Sequence, residues 1–294
     1  MPVEERAKLL KHRGALGLGE TDITRDAWYG RYYDPRQDDT RGGVGSERAD
    51  DPTTWGPSGG NLALMIAAHR IDIERFAMHP DDINWDNIAE QADICDEIVI
   101  DKYNQAHRRY IGGVAINKKI TTNIQAENQM MAACDAIRWT DDDGKFGIFV
   151  GKYNSDPSLV LTDRDIYEIE NRDGDDGESL DTHYFMSYTE PSFNMKGTQS
   201  GAFVAPDFDP LVEDPRTREV PVYAIQDHNQ AIRVLKAGVR REHQKIRVGA
   251  IVGLRGLEAK RHRFLRLDLS DSSLSGVYEI AGVTDSYSGL ALQL

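Results

Sequence analysis

Apolar residues recur at three- and four-residue steps in the stretch INWDNIAEQADICDEIV (residues 83–99): Trp85, Ile88, Ala89, Ala92, Cys95 and Val99. That spacing predicts an amphipathic helix of about four turns. Asn84 supplies an N-cap, Asp86 sets a carboxylate in the positive first turn, and Ile83 with Ile88 occupies the positions of a hydrophobic staple. The polar face carries Glu90, Asp93, Asp96 and Glu97 and reads as solvated. The apolar run NLALMIAAHR (residues 61–70) predicts another helix just before it.

Farther on, alternation and a double glycine in RYIGGVAINKKI (109–120) predict a strand with a bend or bulge. Thr122 and Gln125 form a capping-box pair that opens a helix with the stripe Ala126, Met130, Ala133, Cys134 and Ile137. Asp141-Asp142-Asp143-Gly144 turns the chain into a strand at 146–150, against which the helix at 83–99 is expected to pack. Residues 182–204, with Tyr184, Phe185, Tyr188 and Phe193, read as strand and hairpin. Asp227 and Gln230 cap a third long helix, with Ala231, Val234, Leu235 and Gly238 on one side and Arg233, Lys236, Arg240 and Arg241 on the other.

Short alternating strands follow at 247–254, 264–269, 277–283 and 290–294, a spacing that predicts a small antiparallel barrel or sandwich. The fold class is therefore α+β, with three parts. Residues 1–59 are an extended irregular N-terminal arm, 60–218 a small helix-on-sheet domain with polar insertions, and 219–294 a helix plus a β-rich, barrel- or sandwich-like domain. The arm opens with a short helix at 4–12; beyond it, Gly, Pro, Asp and Arg dominate, with Trp28, Tyr29, Tyr32, Tyr33 and Trp55 scattered among them. Such a composition buries little surface by itself, so the arm is either disordered or orders against a neighbour, and the interspersed aromatics favour the second.

Composition narrows the partners. With 49 acidic against 35 basic residues the net charge is −14, which opposes nonspecific binding to DNA or anionic lipid. An apolar share of 39% over 294 residues predicts extended arms or faces covered only in an assembly. The two cysteines, Cys95 and Cys134, fall on helical apolar stripes, and their number excludes a disulfide framework or a four-cysteine metal site. No apolar run reaches the roughly 20 residues that cross a bilayer. The chain is expected to fold in a reducing cytoplasm without a cleaved export signal.

Catalytic and metal templates fail one by one. In the acidic stretch 171–179, a calcium loop begun at Asn171 meets Asp176 where glycine is needed, and one begun at Asp173 meets Gly177 at a ligand position. Gly112-Gly113 followed by Lys118-Lys119 has the wrong spacing for a phosphate loop, and the glycines at 14, 17 and 19 follow no strand. In Gly197-Thr198-Gln199-Ser200-Gly201 the serine stands one place late for a nucleophile elbow. The basic run Lys260-Arg261-His262-Arg263 reads as a solvated hairpin or a contact with an acidic neighbour. Hence no catalytic, cofactor-binding or metal residue is assigned. Paired carboxylates for glycoside hydrolysis remain an alternative that spacing alone does not exclude.

The order of these pieces resembles the central hub, or tip attachment protein, of lambda-type long-tailed phages and the tail-tip proteins of gene transfer agents. The resemblance spans residues 60–294. It is carried by Asn61–Arg70 followed by Ile83–Glu97, by the turn Asp143-Gly144-Lys145-Phe146, and by the helix beginning Gln230-Ala231-Ile232-Arg233 and running to Arg240-Arg241 before the β-rich segment. It implies a structural, non-enzymatic homotrimer at the virion tail tip that closes the tail tube. Its implied partners are the distal tail and tape-measure proteins, and DNA passes through without specific binding. Members of that family carry a longer hub domain before the first helix and receptor-facing modules after the barrel, so this chain is expected to be a minimal hub or a fragment. An acidic lumen would repel DNA phosphates and let a genome slide; a neutral or basic lumen would refute this. The runner-up functions are a tail-associated cell-wall hydrolase and a non-viral binding module.

Overall fold

A computed structural model describes residues 30–57, 59–114, 121–173, 180–191, 196–211, 214–244, 246–286 and 289–294. Helix α1 (Leu62–Ile71) is buried along most of its length, and helix α2 (Trp85–Asp96) lies against it in the opposite direction. Asn61 sets that arrangement. Its Oδ1 accepts from the backbone N–H groups of Ala63 and Leu64, while its Nδ2 donates to the carbonyl of Ala92 on α2 at 2.9 Å. At the other end, Arg70 lies over the ring of Phe146 and the backbone N–H of Asn84 donates to the Phe146 carbonyl.

The helix expected to reach Val99 stops at Asp96. Ile98-Val99-Ile100 is a run of β-branched residues, which pack better on a pleated surface than against a preceding helical turn. The run forms β1 (Ile98–Ile100), paired antiparallel with β2 (Ala106–Arg108). Asp101 closes the turn between them by accepting from Tyr103 N and Gln105 N, both at 2.8 Å, and Asn104 takes the left-handed conformation at φ 63°. The strand expected at 109–120 is not formed in its described part, where Ile111 and Gly112 make single bridges to Asn61 and Ile225. Gly112 passes so close to the Ala224 carbonyl that a Cβ would sit 2.4 Å from the oxygen. Residues 115–120 lie outside the described residues.

The capping box is present with both arms, Gln125 N donating to Thr122 Oγ1 at 3.2 Å and Thr122 N to Gln125 Oε1 at 2.9 Å. It opens α3 (Asn123–Ala133). Ile137, expected on that helix's stripe, instead begins β3 (Ile137–Thr140), which pairs with β4 (Phe146–Phe149) across a turn with Gly144 at φ 80°. Strand β4 packs on α2, as the sequence predicts. Next come β5 (Val160–Thr162) and β6 (Ile166–Asp173), then β7 (His183–Glu190), which forms a sheet with β8 (Lys196–Gln199), β9 (Phe203–Val204) and the parallel β10 (Thr217–Pro221). Helix α4 (His228–Glu242), capped by Asp227 through Gln230 N at 2.7 Å, covers β7.

The remaining strands are β11 (Ile246–Val252), β12 (Phe264–Asp268), β13 (Gly276–Glu279), β14 (Gly282–Ser286) and β15 (Gly289–Gln293). They do not close into a barrel. They form two open sheets, β14-β15-β11-β6 and β13-β12-β5, and the pairing of β12 with β5 is parallel. The single strand expected at 277–283 is divided between β13 and β14, one in each sheet. Leu159, Leu161, Val248, Val252, Leu265 and Leu292 form the core between the sheets, while a larger core takes in α1 to α4, β4 and β7. The α+β class expected from the pattern is the class observed.

Residues 30–57 are irregular, as expected, but they order against this chain's own helix. Tyr33 is 1% exposed and meets Trp85 edge-on at 4.6 Å, and its hydroxyl donates to Asp38 at 2.7 Å. Arg36 joins Asp34 to Asp93 and Asp96 on α2. Three one-turn helices each begin with an aspartate, Asp34, Asp38 or Asp51, accepting from the backbone two residues on. Local aspartate caps replace the missing apolar pattern. The short helix expected at 4–12 and the aromatics Trp28 and Tyr29 lie outside the described residues.

Candidate functional site

Among the described residues no group of three or more His, Cys, Asp or Glu side chains could hold a metal ion. Ser200, tested as a nucleophile, is buried, and its Oγ accepts from Met186 N at 2.9 Å and donates to the Gly201 carbonyl at 3.0 Å. The glycines at 14–19, the lysines at 118–119 and the acidic loop at 174–179 lie outside the described residues.

Most interior charge joins elements together. Arg70 lies over the rings of Phe76 and Phe146, at 4.4 and 4.5 Å, and forms a bidentate pair with the buried Glu127 of α3. Arg263, expected in a solvated run, is 6% exposed. It donates to the carbonyls of Asp135 (2.6 Å) and Phe149 (2.9 Å) and to the carboxylates of Asp135 (3.0 Å) and Glu279 (2.9 Å). It thereby ties the larger core to the two-sheet core. Its neighbour Arg261 pairs with Asp142, so the acidic contact lies within the same chain. Burial lowers the pKa of His262.

Two tyrosine–histidine pairs fix the ends of α4. Tyr188 of β7 meets His228 Nδ1 at 2.9 Å, and Tyr184 meets His243 Nε2 at 3.0 Å. Asp207 Oδ1 lies 2.8 Å from His243 Nδ1, off the hydrogen-bonding direction. Burial, helped by Glu242 near Tyr184 and Glu190 near Tyr188, pushes both phenols up to about 12. Both tyrosines are at most 2% exposed, so they are out of reach of a substrate. His107 on β2 stands between two carboxylates, Asp227 Oδ2 at 3.0 Å and Asp101 Oδ2 at 3.3 Å, which fastens the inner face of the hairpin to the cap of α4.

The outward faces are different in kind. On the β1–β2 hairpin, Ile98, Ile100 and Tyr103 are 58, 60 and 71% exposed. At the opposite end of α1 and α2, Ile73 is 85% exposed in a loop rich in carboxylates. These surfaces, not a cleft, are the candidate site. The sequence pattern missed the hairpin because the apolar stripe was extended through it. The signal was available in Ile-Val-Ile followed by Asp101 and Asn104, a strand and its turn.

No protein-family model and no curated protein matches the chain. Among solved structures, it is similar to a chain of the virion of the native gene transfer agent particle, at 13% identity and a TM-score of 0.54, covering 96% of this chain and 54% of that one. The likeness is one of fold. It is also similar to the tail protein from Neisseria meningitidis MC58 (13% identity, TM-score 0.40, 65% of this chain and 58% of that one). A third match is the 43 kDa tail protein of prophage MuSo2 from Shewanella oneidensis (10% identity, TM-score 0.38, 61% and 52%). The chain spans about half the length of each of these structures.

Proposed function

We propose that this chain is a structural component of a phage-type tail, placed at the tail tip as a hub that closes the tail tube. In this reading it works as a homotrimer in contact with the distal tail and tape-measure proteins, and it catalyses no reaction. The observation that carries the reading is the fold shared with a gene transfer agent virion chain over 96% of this chain. Two features support it: charged interior residues joined to one another across elements, and apolar side chains displayed on a hairpin and a loop, as an assembled part requires.

The test is to tag the chain in a cell that produces the particles, purify them, and label the tag with gold for electron microscopy. The expected result is label at the distal end of the tail. Label on the capsid, or particles without the chain, would overturn the proposal. A peptidoglycan zymogram of the purified chain should remain uncleared. Clearing abolished by a single carboxylate substitution would favour the cell-wall hydrolase.

A further inference from the structure

Residues 30–57 form a unit closed upon itself. Glu47 accepts the backbone N–H of Asp34 through one carboxylate oxygen and that of Gly56 through the other, each at 2.8 Å, and Tyr32 N donates to the Gly56 carbonyl. The two ends of the arm are thereby drawn together. Inside it, Arg48 pairs with Asp38, and Trp55 Nε1 donates to the Arg48 carbonyl at 2.7 Å. Held in shape by its own polar groups, the arm grips α2 with the ring of Tyr33 on Trp85 and with Arg36 on Asp93 and Asp96.

Its attachment to the body is built of glycine. Gly59 and Gly60, just before the cap of α1, both stand in the left-handed region, at φ 59° and 80°. Gly60 is pinned to the body, its carbonyl accepting from Gly112 N at 3.0 Å. The carbonyl of Gly59, one residue earlier, accepts instead from Arg108 Nη1 on β2 at 3.1 Å, and a Cβ at Gly59 would stand 2.9 Å from that nitrogen. The hairpin thus holds the residue about which the arm can swing.

The same arginine reaches the arm by a second route. Arg108 Nη1 lies 3.5 Å from Asp96 Oδ1, while Asp96 Oδ2 pairs with Arg36 at 3.0 Å. Asp96 is the last residue of α2, where the helix dipole disfavours a carboxylate, so it depends on its cations. A carboxylate oriented by one guanidinium is already in place for the other. The charge of Arg36 is also met by Asp34 and Asp93, so the two arginines do not face each other uncompensated. Hairpin, hinge and arm share Arg108 and Asp96.

We propose that the β1–β2 hairpin is the catch of the arm. Drawn off its seat, it frees Gly59 and Asp96 together, and residues 30–57 swing away from α2 as one body, uncovering Tyr33 and Trp85. The two motions are linked, so the seated hairpin stabilises the docked arm as much as the docked arm stabilises the hairpin. The device belongs to the single chain and goes beyond the tail reading, on which it does not depend.

Pulsed electron spin resonance on the spin-labelled full chain tests it. Val44 in the arm, Tyr103 at the hairpin tip and Ile124 on α3 are exposed, so V44C with I124C reads the arm and Y103C with I124C reads the hairpin. Cys95 and Cys134 are buried and stay unlabelled. Without further substitution each pair should give one narrow distance. Arg108→Ala should replace the narrow arm distance with a broad distribution, and so should Gly59→Ala, a second variant that acts from the arm side of the same contact. In return, Arg36→Ala should broaden the hairpin distance, although the substitution lies in the arm. An arm distance that stays narrow in R108A or G59A, a hairpin distance that stays narrow in R36A, or an arm already broad without them would each overturn the catch. The gold-labelled particles test the tail reading separately.

Discussion

Replacing Arg263 with methionine should lower stability by about 3–5 kcal/mol, the range for removing one partner from a buried ion pair. The four hydrogen bonds of Arg263 run to two carbonyls and two carboxylates. At about 1.5–3 kcal/mol for each bond involving a charged group, their sum would exceed that range. Two effects reduce it. Methionine avoids burying a guanidinium, and Arg241 still reaches Asp135 at 2.9 Å and Glu279 at 2.8 Å, so neither carboxylate loses every partner. The carbonyls of Asp135 and Phe149 do lose the guanidinium. Urea unfolding followed by tryptophan fluorescence and far-ultraviolet circular dichroism measures the change. Because Arg263 bridges the two cores, the variant should also unfold in separated steps, with the two probes no longer coincident. A loss below about 1 kcal/mol with coincident transitions would refute the joint as a stabilising element.

Burial pushes the Cys95 thiol up to about 12 and raises Cys134 well above its ordinary range, so neither should react with an aromatic disulfide reagent until urea unfolds the chain. Fast labelling of either thiol in the native protein would contradict the packing of α2 and α3. Tyr184 and Tyr188 titrate at about 12 in the folded chain against an ordinary 10.0, so the folded state holds its phenolic protons more tightly. That contribution to stability is complete below the ordinary value and is lost as pH rises from there toward the folded value. Tyrosinate absorbance should therefore include a late component that appears together with loss of helical signal. Ionisation of all twelve tyrosines in one early step would refute it.

Elements whose local chemistry agrees with their burial were legible in the sequence. The caps at Asn84, Thr122 and Asp227 all start the helices they predict, because each satisfies a backbone donor that the first turn leaves free. Errors arose where a pattern was extended past a chemical boundary. Val99 and Ile137 continue their apolar stripes at helical spacing, but both belong to strands, since periodicity does not register the cap that ends a helix. The parallel pairing of β12 with β5 joins residues about a hundred positions apart, which no local window contains. The inward turn of Arg263 was equally hidden, because a charged run looks solvated until its carboxylate partners are brought in from Asp135 and Glu279. The candidate surfaces needed both kinds of information, a hairpin readable from its turn and an opposite pole defined by helix packing.

On α2, two buried amides complete the neighbouring strand: Asn87 Oδ1 accepts from Ile148 N and Gln91 Oε1 from Val150 N, both at 2.9 Å. Under mutational drift this divides the helix into unequal positions. Ile88 can exchange for other apolar residues of similar volume with local repacking, whereas an apolar residue at 87 or 91 leaves a buried N–H of the β4 segment without an acceptor, a loss of about 1–3 kcal/mol that repacking does not repair. A saturation library of α2 would thus tolerate change at Asp86 and Glu90 and give sharp minima at Asn87 and Gln91, the reverse of what an apolar stripe alone would lead one to weight.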